Sequence, residues 1–149
     1  MRMSGPWCLD EINGYLDNSV IPIRLAVQGD TGYPIIASLW FLRQGSTIVC
    51  SSQRGARIVQ CLRKKPVCAF EISGDDLPYH GVRGQGDADL SYGDGQGDLG
   101  KLVSRYLADT NLELQEWLLS RSDSEVSIRI EPRNFCSWDY RKRMAQGSS

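Results

Sequence analysis

The spacing of apolar residues near the start of the chain predicts one short helix. Within residues 7–18 the apolar positions recur every three or four residues, which gives this segment a single apolar face. These positions are Leu9, Ile12, Tyr15 and Leu16. We therefore expect a first helix that packs this face against a core.

From residue 23 the apolar pattern changes from helical to alternating. Ile23, Leu25 and Val27 alternate with Arg24 and Ala26, which is typical of a strand with one buried face. Residues 28–32 are rich in turn formers and predict a hairpin turn. The mostly apolar residues 34–42 and 47–51 predict two more strands, joined by a turn at 43–46.

The second half of the chain mixes helical and strand patterns. Residues 52–65 predict a helix that ends at Pro66, and two strands follow at 67–72 and 82–90. Residues 91–100 carry four glycines and two aspartates, so we expect a loop there. Two amphipathic helices are expected at 99–107 and 112–119, and residues 125–131 alternate cleanly as a last strand.

These elements together predict a mainly β fold of the α+β class. The connections between neighbouring strands are short, which favours antiparallel pairing. The helices are confined to the ends and to one interruption, so the layout predicts a barrel or sheet rather than a doubly wound fold. We expect a single domain spanning residues 1–149, with flexible ends at 1–6 and 145–149.

Charge and composition exclude several classes of partner. The chain has 149 residues, with 17 basic and 18 acidic residues and a formal net charge of −1, so no overall positive field would attract nucleic acid or an anionic membrane. The first residues lack the apolar run of a signal peptide, and no stretch approaches the ~20 apolar residues of a membrane span. We expect a cytoplasmic protein.

Cysteine and histidine content makes a metal centre an unfavourable interpretation. The five cysteines contain no C-x-x-C pair, and His80 is the single histidine, so the usual zinc ligand sets are poorly supplied. The cysteines are Cys8, Cys50, Cys61, Cys68 and Cys136. We interpret them as reduced and mostly buried, and we predict no metal site.

A loop with hydroxyls and arginines precedes the predicted helix after residue 52. Ser51 and Ser52 can donate hydrogen bonds, Arg57 can clamp phosphate oxygens, and backbone N–H groups at a helix start favour an anion. These residue types predict a site for a phosphate monoester, with Arg57 as its principal ligand. The alternative from residue type alone is that Arg54 and Arg57 lie on a solvated helix face.

Four pieces of the sequence, in order, resemble the pyridoxamine 5′-phosphate oxidase-like family of FMN-binding split barrels. The first hairpin, the loop and helix after it, the strand that follows, and the C-terminal strand with its Trp-Asp-aromatic ending all have counterparts there. In this chain the pieces are residues 24–27 with 36–41, residues 50–57 with 63–67, residues 79–88, and residues 130–133 with 137–140. The resemblance covers residues ~7 to ~143.

The resemblance implies a homodimeric split barrel that binds FMN near the subunit interface and acts as an oxidoreductase on a small organic substrate. It implies that the flavin ring lies against Ser38, Leu39 and Trp40, with Trp138 as a further aromatic contact. The residues matching the phosphate loop are Ser51, Ser52, Arg54 and Arg57. No catalytic residue can be assigned, and the substrate and electron donor stay open.

This chain also departs from the family pattern in the phosphate loop. The family often continues Ser-Arg-Lys where this chain has Ala56, Arg57 and Ile58, so one hydroxyl and one ammonium are missing. Each lost contact weakens phosphate binding by roughly 1.5 to 3 kcal/mol unless Arg54 and Ser52 compensate. Two alternatives for the function also stay open: a relative that uses a deazaflavin coenzyme, and a non-catalytic module that dimerises or binds flavin without turnover.

Overall fold

The computed structural model describes residues 1–141, whose strands form one curled, mainly antiparallel sheet. The helices are α1 (Leu9–Asn18), α2 (Arg57–Lys64), α3 (Gly95–Leu107) and α4 (Leu112–Ser120). The strands are β1 (Arg2–Ser4), β2 (Ile23–Gln28), β3 (Pro34–Leu39), β4 (Phe41–Gln44), β5 (Thr47–Gln53), β6 (Val67–Ser73), β7 (His80–Ser91) and β8 (Glu125–Asp139). A short 3-10 turn at Ser122–Ser124 leads into β8.

The two ends of the sheet belong to one stretch of chain. The strands follow the order β3-β2-β6-β7-β8-β5-β4, and β1 adds to β8 in parallel. The terminal strands β3 and β4 are separated by Trp40 alone. The first half of this stretch pairs with β2 and the second half with β5, so the sheet closes on itself into a barrel with a split at Trp40.

The barrel interior forms the main core, as the alternating pattern predicts. Ile23, Leu25 and Val27 of β2 point inward and are at most 3% exposed. The apolar faces of α1 and α2 pack against the same core, which agrees with their helical spacing. A second, smaller cluster lies under α3 and consists of Leu99, Val103 and Leu107, with Trp40 and Leu118 against it.

Four strand boundaries differ from the sequence-based expectation. The predicted strand at 34–42 is broken at Trp40, and the expected turn at 43–46 shrinks because β4 continues to Gln44. The last strand continues to Asp139 rather than ending near residue 131. It passes Pro132, which lacks a donor N–H, at a bulge where Gln85 pairs with Asn134 and Gly86 pairs with Pro132. Arg2–Ser4, expected to be flexible, forms β1.

The predicted loop at 91–100 is wrong over its second half, because α3 begins at Gly95. A Cβ atom at Gly95 would lie 2.0 Å from the backbone oxygen of Glu125, so glycine is required for this close approach. Asp98 is buried, accepting hydrogen bonds from Ser127 (2.5 Å) and Arg129 (2.8 Å) of β8. Gly95 and Asp98 therefore form tertiary contacts with β8 and do not form a turn.

Two further sequence-based expectations concern the cysteines and the chain end. Cys50, Cys61 and Cys68 are buried, Cys136 is partly buried and Cys8 is exposed, so the interpretation of mostly buried thiols is confirmed. Burial raises the pKa of the Cys68 thiol to about 11. The expected flexible tail at 145–149 lies outside the described residues. Within residues 1–141, the helices are too short or too polar to cross a bilayer.

Candidate functional site

The split in the barrel brings two unpaired strand edges together. Within the described part of the chain, β3 pairs only with β2, and Ser51–Gln53 pair only with β8 after β4 has ended. Cα atoms of β3 and β5 nevertheless come within 8 Å of each other. Because a strand directs its backbone N–H and C=O groups to both sides, the two facing edges offer unpaired donors and acceptors to whatever lies between them.

A cavity of about 290 Å³ lies at this split. Its strand side is formed by the ends of β3 and β5, and α3 and α4 cover it with leucine side chains. The lining residues are Ser38, Leu39, Trp40, Ser51, Ser52, Gln53, Leu99, Leu102, Leu118, Arg121 and Glu125. Cavities of roughly 300 Å³ are at the small end of ligand sites, so this one suits a single ring system or one end of a larger ligand.

A buried carboxyl group forms the polar part of the cavity wall. Glu125 is 7% exposed, and its two carboxyl oxygens accept hydrogen bonds from the Ser51 hydroxyl (3.0 Å) and the Gln53 side-chain amide. Burial raises the pKa of Glu125 above its ordinary value, while these two hydrogen bonds and the nearby Arg121 charge lower it in part. Glu125 is therefore a weaker acid than a solvated glutamate.

Trp40 is held in place at the split by a second aromatic ring. The Trp40 and Tyr106 rings are stacked, with centroids 5.0 Å apart and planes tilted by 10°. The Tyr106 hydroxyl donates to the Ile21 carbonyl (2.7 Å) and accepts from the Phe41 N–H (3.1 Å). Tyr106 thus connects α3 to the segment before β2 and to the start of β4. Its ring also covers one face of Trp40.

Five of the eight predicted site residues meet at the cavity. Ser38, Leu39 and Trp40 come from β3 and the break after it, and Ser51 and Ser52 come from β5. The sequence predicts this meeting only through the family resemblance, since the two groups belong to separate strands. The structure brings them together because the segment holding Ser38–Trp40 closes the barrel beside β5.

The other three predicted site residues lie outside this cavity. The Arg54 guanidinium lies 5.2 Å from the centroid of the Tyr92 ring. Arg57 begins α2 and its side chain is exposed. Trp138, on β8, lies under the Arg83 guanidinium at 5.5 Å.

The hydroxyl of Ser51 has a different partner from the phosphate that the sequence predicts. It donates to Glu125 at 3.0 Å, and the charge of that carboxylate opposes a phosphate at the same place. Ser52 is partly buried, and its hydroxyl has no hydrogen-bond partner within residues 1–141. Any phosphate group bound near this loop would have to lie beyond Ser51, on the side of Arg54 and Arg57.

Sequence reasoning missed the residues that cover the cavity. Leu99 and Leu102 belong to the apolar face of a predicted helix, but a periodic pattern does not say which surface that face covers. Glu125 stands at the start of a strand, where a carboxylate is ordinarily solvated. The alternation of residues 125–131 does place Glu125 on the same face as Ser127, which is fully buried. This shared face is the feature of the sequence that could have predicted the burial of Glu125.

His80, the one histidine of the chain, lies away from the cavity. Its ring packs against Tyr15 and Trp7, with centroid distances of 5.8 and 6.3 Å. Its Nδ1 is 2.9 Å from the Pro78 carbonyl oxygen. The cavity wall therefore has no imidazole, and its titratable side chains are Glu125 and Arg121.

Comparisons with known proteins establish the fold. No protein-family model and no curated protein matches the sequence. A conserved hypothetical protein from Mycobacterium tuberculosis is similar, with 23% identity, a TM-score of 0.75, and coverage of 93% of this chain and 88% of that one.

Two further solved structures carry more informative names. An F420 reductase has 18% identity and a TM-score of 0.71, covering 87% of this chain and 97% of that one. A general stress protein 26 relative of the pyridoxinephosphate oxidase family, from Clostridium acetobutylicum, has 18% identity and a TM-score of 0.65, covering 89% of this chain and 88% of that one. At these identities the likeness establishes the fold alone, and it confirms the predicted split barrel.

Proposed function

We propose that this chain, which has the split-barrel fold of pyridoxamine 5′-phosphate oxidase-like proteins, binds a flavin-type coenzyme at the split between β3 and β5. The observation that carries the proposal is the meeting of two unpaired strand edges, Ser38–Leu39 and Ser51–Gln53, in one cavity. Both segments are those that the family resemblance assigns to the coenzyme.

The chemistry of the cavity suits the ring of such a coenzyme. A flavin ring has flat apolar faces and one edge with alternating hydrogen-bond donors and acceptors. The unpaired backbone groups of the two strands can pair with that edge, and Leu99, Leu102 and Leu118 can cover a face. With a ring bound, these side chains would exclude water from one of its faces, which would strengthen the hydrogen bonds at its edge.

The phosphate end of the coenzyme would lie outside the cavity, because Glu125 opposes a second negative charge within it. Arg54 and Arg57 lie at the start of α2, and neither side chain forms a hydrogen bond or ion pair within residues 1–141. Arginine is suited to bidentate phosphate binding, and backbone N–H groups at the start of α2 add to it. Arg57 is the residue on which we expect phosphate binding to depend most.

A bound flavin would supply hydride or two-electron transfer, which makes a flavin-dependent oxidoreductase the proposed activity. The chain's own residues would orient the ring through backbone groups of β3 and β5 and keep water out through α3 and α4. Trp40, fixed by Tyr106, would set the position of the ring at the break in the barrel.

A deazaflavin coenzyme is the second candidate. The F420 reductase is among the more similar solved structures, with a TM-score of 0.71. The loop of this chain also lacks the hydroxyl and ammonium that Ala56 and Ile58 replace, which weakens the case for a tight FMN phosphate site. Titration with each coenzyme separates the two candidates.

We also propose that the protein works as a homodimer, as the family resemblance implies. The outer face of β2, β3, β6, β7 and β8 has a groove of about 690 Å³. Ile36 stands in this groove with 72% of its surface exposed, beside the small side chains of Ala26 and Ala69. A second copy would bury these three apolar side chains, which supports the proposal.

An absorbance spectrum of the freshly purified protein, followed by fluorescence titration with FMN and with F420, tests the coenzyme proposal. Arg57→Ala removes one charge-assisted contact to phosphate, so we expect about ten- to hundredfold weaker binding. Arg63→Ala is the matched control, because Arg63 is exposed at the other end of α2. Equal affinity of both variants would remove Arg57 from the site.

A second pair of variants tests the ring end of the site. Leu118→Trp places a larger side chain in the cavity, and we expect it to abolish coenzyme binding. Leu114→Trp lies on the same helix, is 42% exposed and is not a cavity residue, so it should bind normally. The coenzyme proposal is overturned if wild-type protein binds neither coenzyme or if Leu118→Trp binds as tightly as wild type.

A further inference from the structure

We infer that Glu125 makes the cavity selective for ring ligands that present an N–H donor or a positive charge, such as aromatic amidines and amines, and against ring ligands that carry a negative charge. The inference deepens the proposed function because it concerns the same cavity. It rests on the geometry of that cavity, and it holds whether or not the ring is a flavin.

The first step is that Glu125 retains room for a ligand. Each carboxylate oxygen can accept two hydrogen bonds, and Glu125 receives one on each oxygen, from Ser51 and from Gln53. These two bonds fix the carboxyl group in one orientation at the cavity wall. The remaining acceptor positions are available to a ligand that enters the cavity.

The second step is that no cation within the described residues neutralises Glu125. The basic side chain whose charge acts on Glu125 is Arg121, which lowers the Glu125 pKa and also lines the cavity. Within residues 1–141 it forms no ion pair with Glu125, and its guanidinium lies 4.7 Å from the Trp117 ring centroid. On α3, Asp98 is occupied by Ser127 and Arg129 of β8. Glu125 therefore has no ion-pair partner within the described residues.

The third step is that the surroundings of Glu125 strengthen its effect. Leu99, Leu102 and Leu118 make most of the opposite wall apolar, and charge interactions are stronger where water is excluded. A carboxylate or sulfonate on a ring ligand would be repelled by the Glu125 carboxylate with less solvent screening than at the protein surface. An amidinium or a ring N–H would instead complete the hydrogen bonding of Glu125.

The test uses three small probes of one shape with the protein free of coenzyme. Benzamidine is a cation with N–H donors, benzamide is a neutral donor and benzoate is an anion. Binding is measured by calorimetry at neutral pH and by tryptophan fluorescence, since Trp40 lines the cavity. We expect benzamidine to bind at least ten times more tightly than benzoate, with benzamide between them.

Glu125→Gln keeps the shape of the side chain and removes its charge, so we expect at least tenfold weaker benzamidine binding and no preference over benzoate. Glu113→Gln is the matched control, because Glu113 is an exposed glutamate on α4 outside the cavity. Leu118→Trp fills the cavity and should abolish binding of all three probes. It keeps the inference testable if Glu125→Gln does not fold.

The inference is overturned if benzoate binds as tightly as benzamidine to the wild-type protein, if no probe binds, or if Glu125→Gln keeps the preference. Coenzyme titration of the same proteins is a separate readout. Benzamidine selectivity without coenzyme binding would overturn the proposed function and leave this inference standing. Coenzyme binding without benzamidine selectivity would overturn this inference and leave the proposed function standing.

Discussion

Glu125 and Gly95 show how single side chains reach the candidate site through contacts that are distant in sequence. Gly95 allows the start of α3 to lie against the Glu125 backbone, and this contact brings Leu99 and Leu102 over the cavity. Glu125 meanwhile accepts hydrogen bonds from β5. Because Glu125 is buried, its ionised form lowers the stability of the folded protein.

That loss of stability predicts a pH dependence. Because burial raises the pKa of Glu125, the folded protein holds this proton to a higher pH than the unfolded chain does. Stability is therefore lost as pH rises from the ordinary glutamate pKa through the raised one. Glu125→Gln has no proton to lose, so its Tm relative to wild type should increase as the pH rises above about 4, the ordinary pKa of glutamate. A Tm difference that is constant over this range would contradict the burial argument.

Helix α4 is the least anchored wall of the cavity. None of its residues is fully buried, and Leu118 is its partly buried contact with the cluster under α3. The connection from α3 contains two non-glycine residues with positive φ, Ala108 (φ 50°, ψ −117°) and Asn111 (φ 51°). Asparagine tolerates such a backbone, whereas an alanine there is strained.

Relief of this strain should stabilise the protein. We expect Ala108→Gly to raise the free energy of unfolding by about 1 kcal/mol, after subtracting the entropy cost of glycine. Thermal unfolding would show this as an increase of about 2–4 °C in Tm. Ser104→Gly, at an exposed position inside α3, should instead destabilise by about 0.5 kcal/mol. A loss of stability in Ala108→Gly would show that the loop is not strained.

At the level of elements, periodicity predicts most of the structure and misses what tertiary contacts decide. The α1, α2 and β2 patterns follow directly from one buried face, and each element forms in the predicted region, although α2 begins at Arg57 rather than at residue 52 because β5 continues to Gln53. The start of α3 and the continuation of β8 past Pro132 depend on close packing and on a bulge, which local sequence does not encode. Sequence-based boundaries fail at such places because neighbours far along the chain override local preference.

For the molecule as a whole, the family resemblance predicts the closure of the barrel and part of the site. It assigns Ser38–Trp40 and Ser51–Ser52 to one site, yet it indicates neither their cover of leucines nor the carboxyl of Glu125. Only the three-dimensional arrangement shows which helix face lies over the split. Conversely, the chemistry of Arg57 makes it a candidate phosphate ligand, and its exposure in one chain leaves its role to the binding experiment.

Assembly of two copies is the prediction that belongs to the whole molecule. Sedimentation velocity at micromolar concentration should give twice the chain mass. Ile36→Glu puts a charge in the outer groove of the sheet, and we expect it to yield monomers. Leu112→Glu is the control, because Leu112 is similarly exposed (64% against 72%) but lies on α4. A monomeric wild-type protein would contradict the dimer proposal.

Because Trp40 alone joins β3 and β4, the number of residues at this break limits how far the two halves of the barrel can separate. One inserted residue would turn Phe41, which is fully buried, toward the outside of the barrel, because strand side chains alternate in direction. Two inserted residues would preserve that alternation and lengthen the bridge between the halves while leaving each existing hydrogen-bonded pair intact. To enlarge the cavity of this fold, one would therefore first insert two residues next to Trp40 and only then substitute residues of the cavity wall.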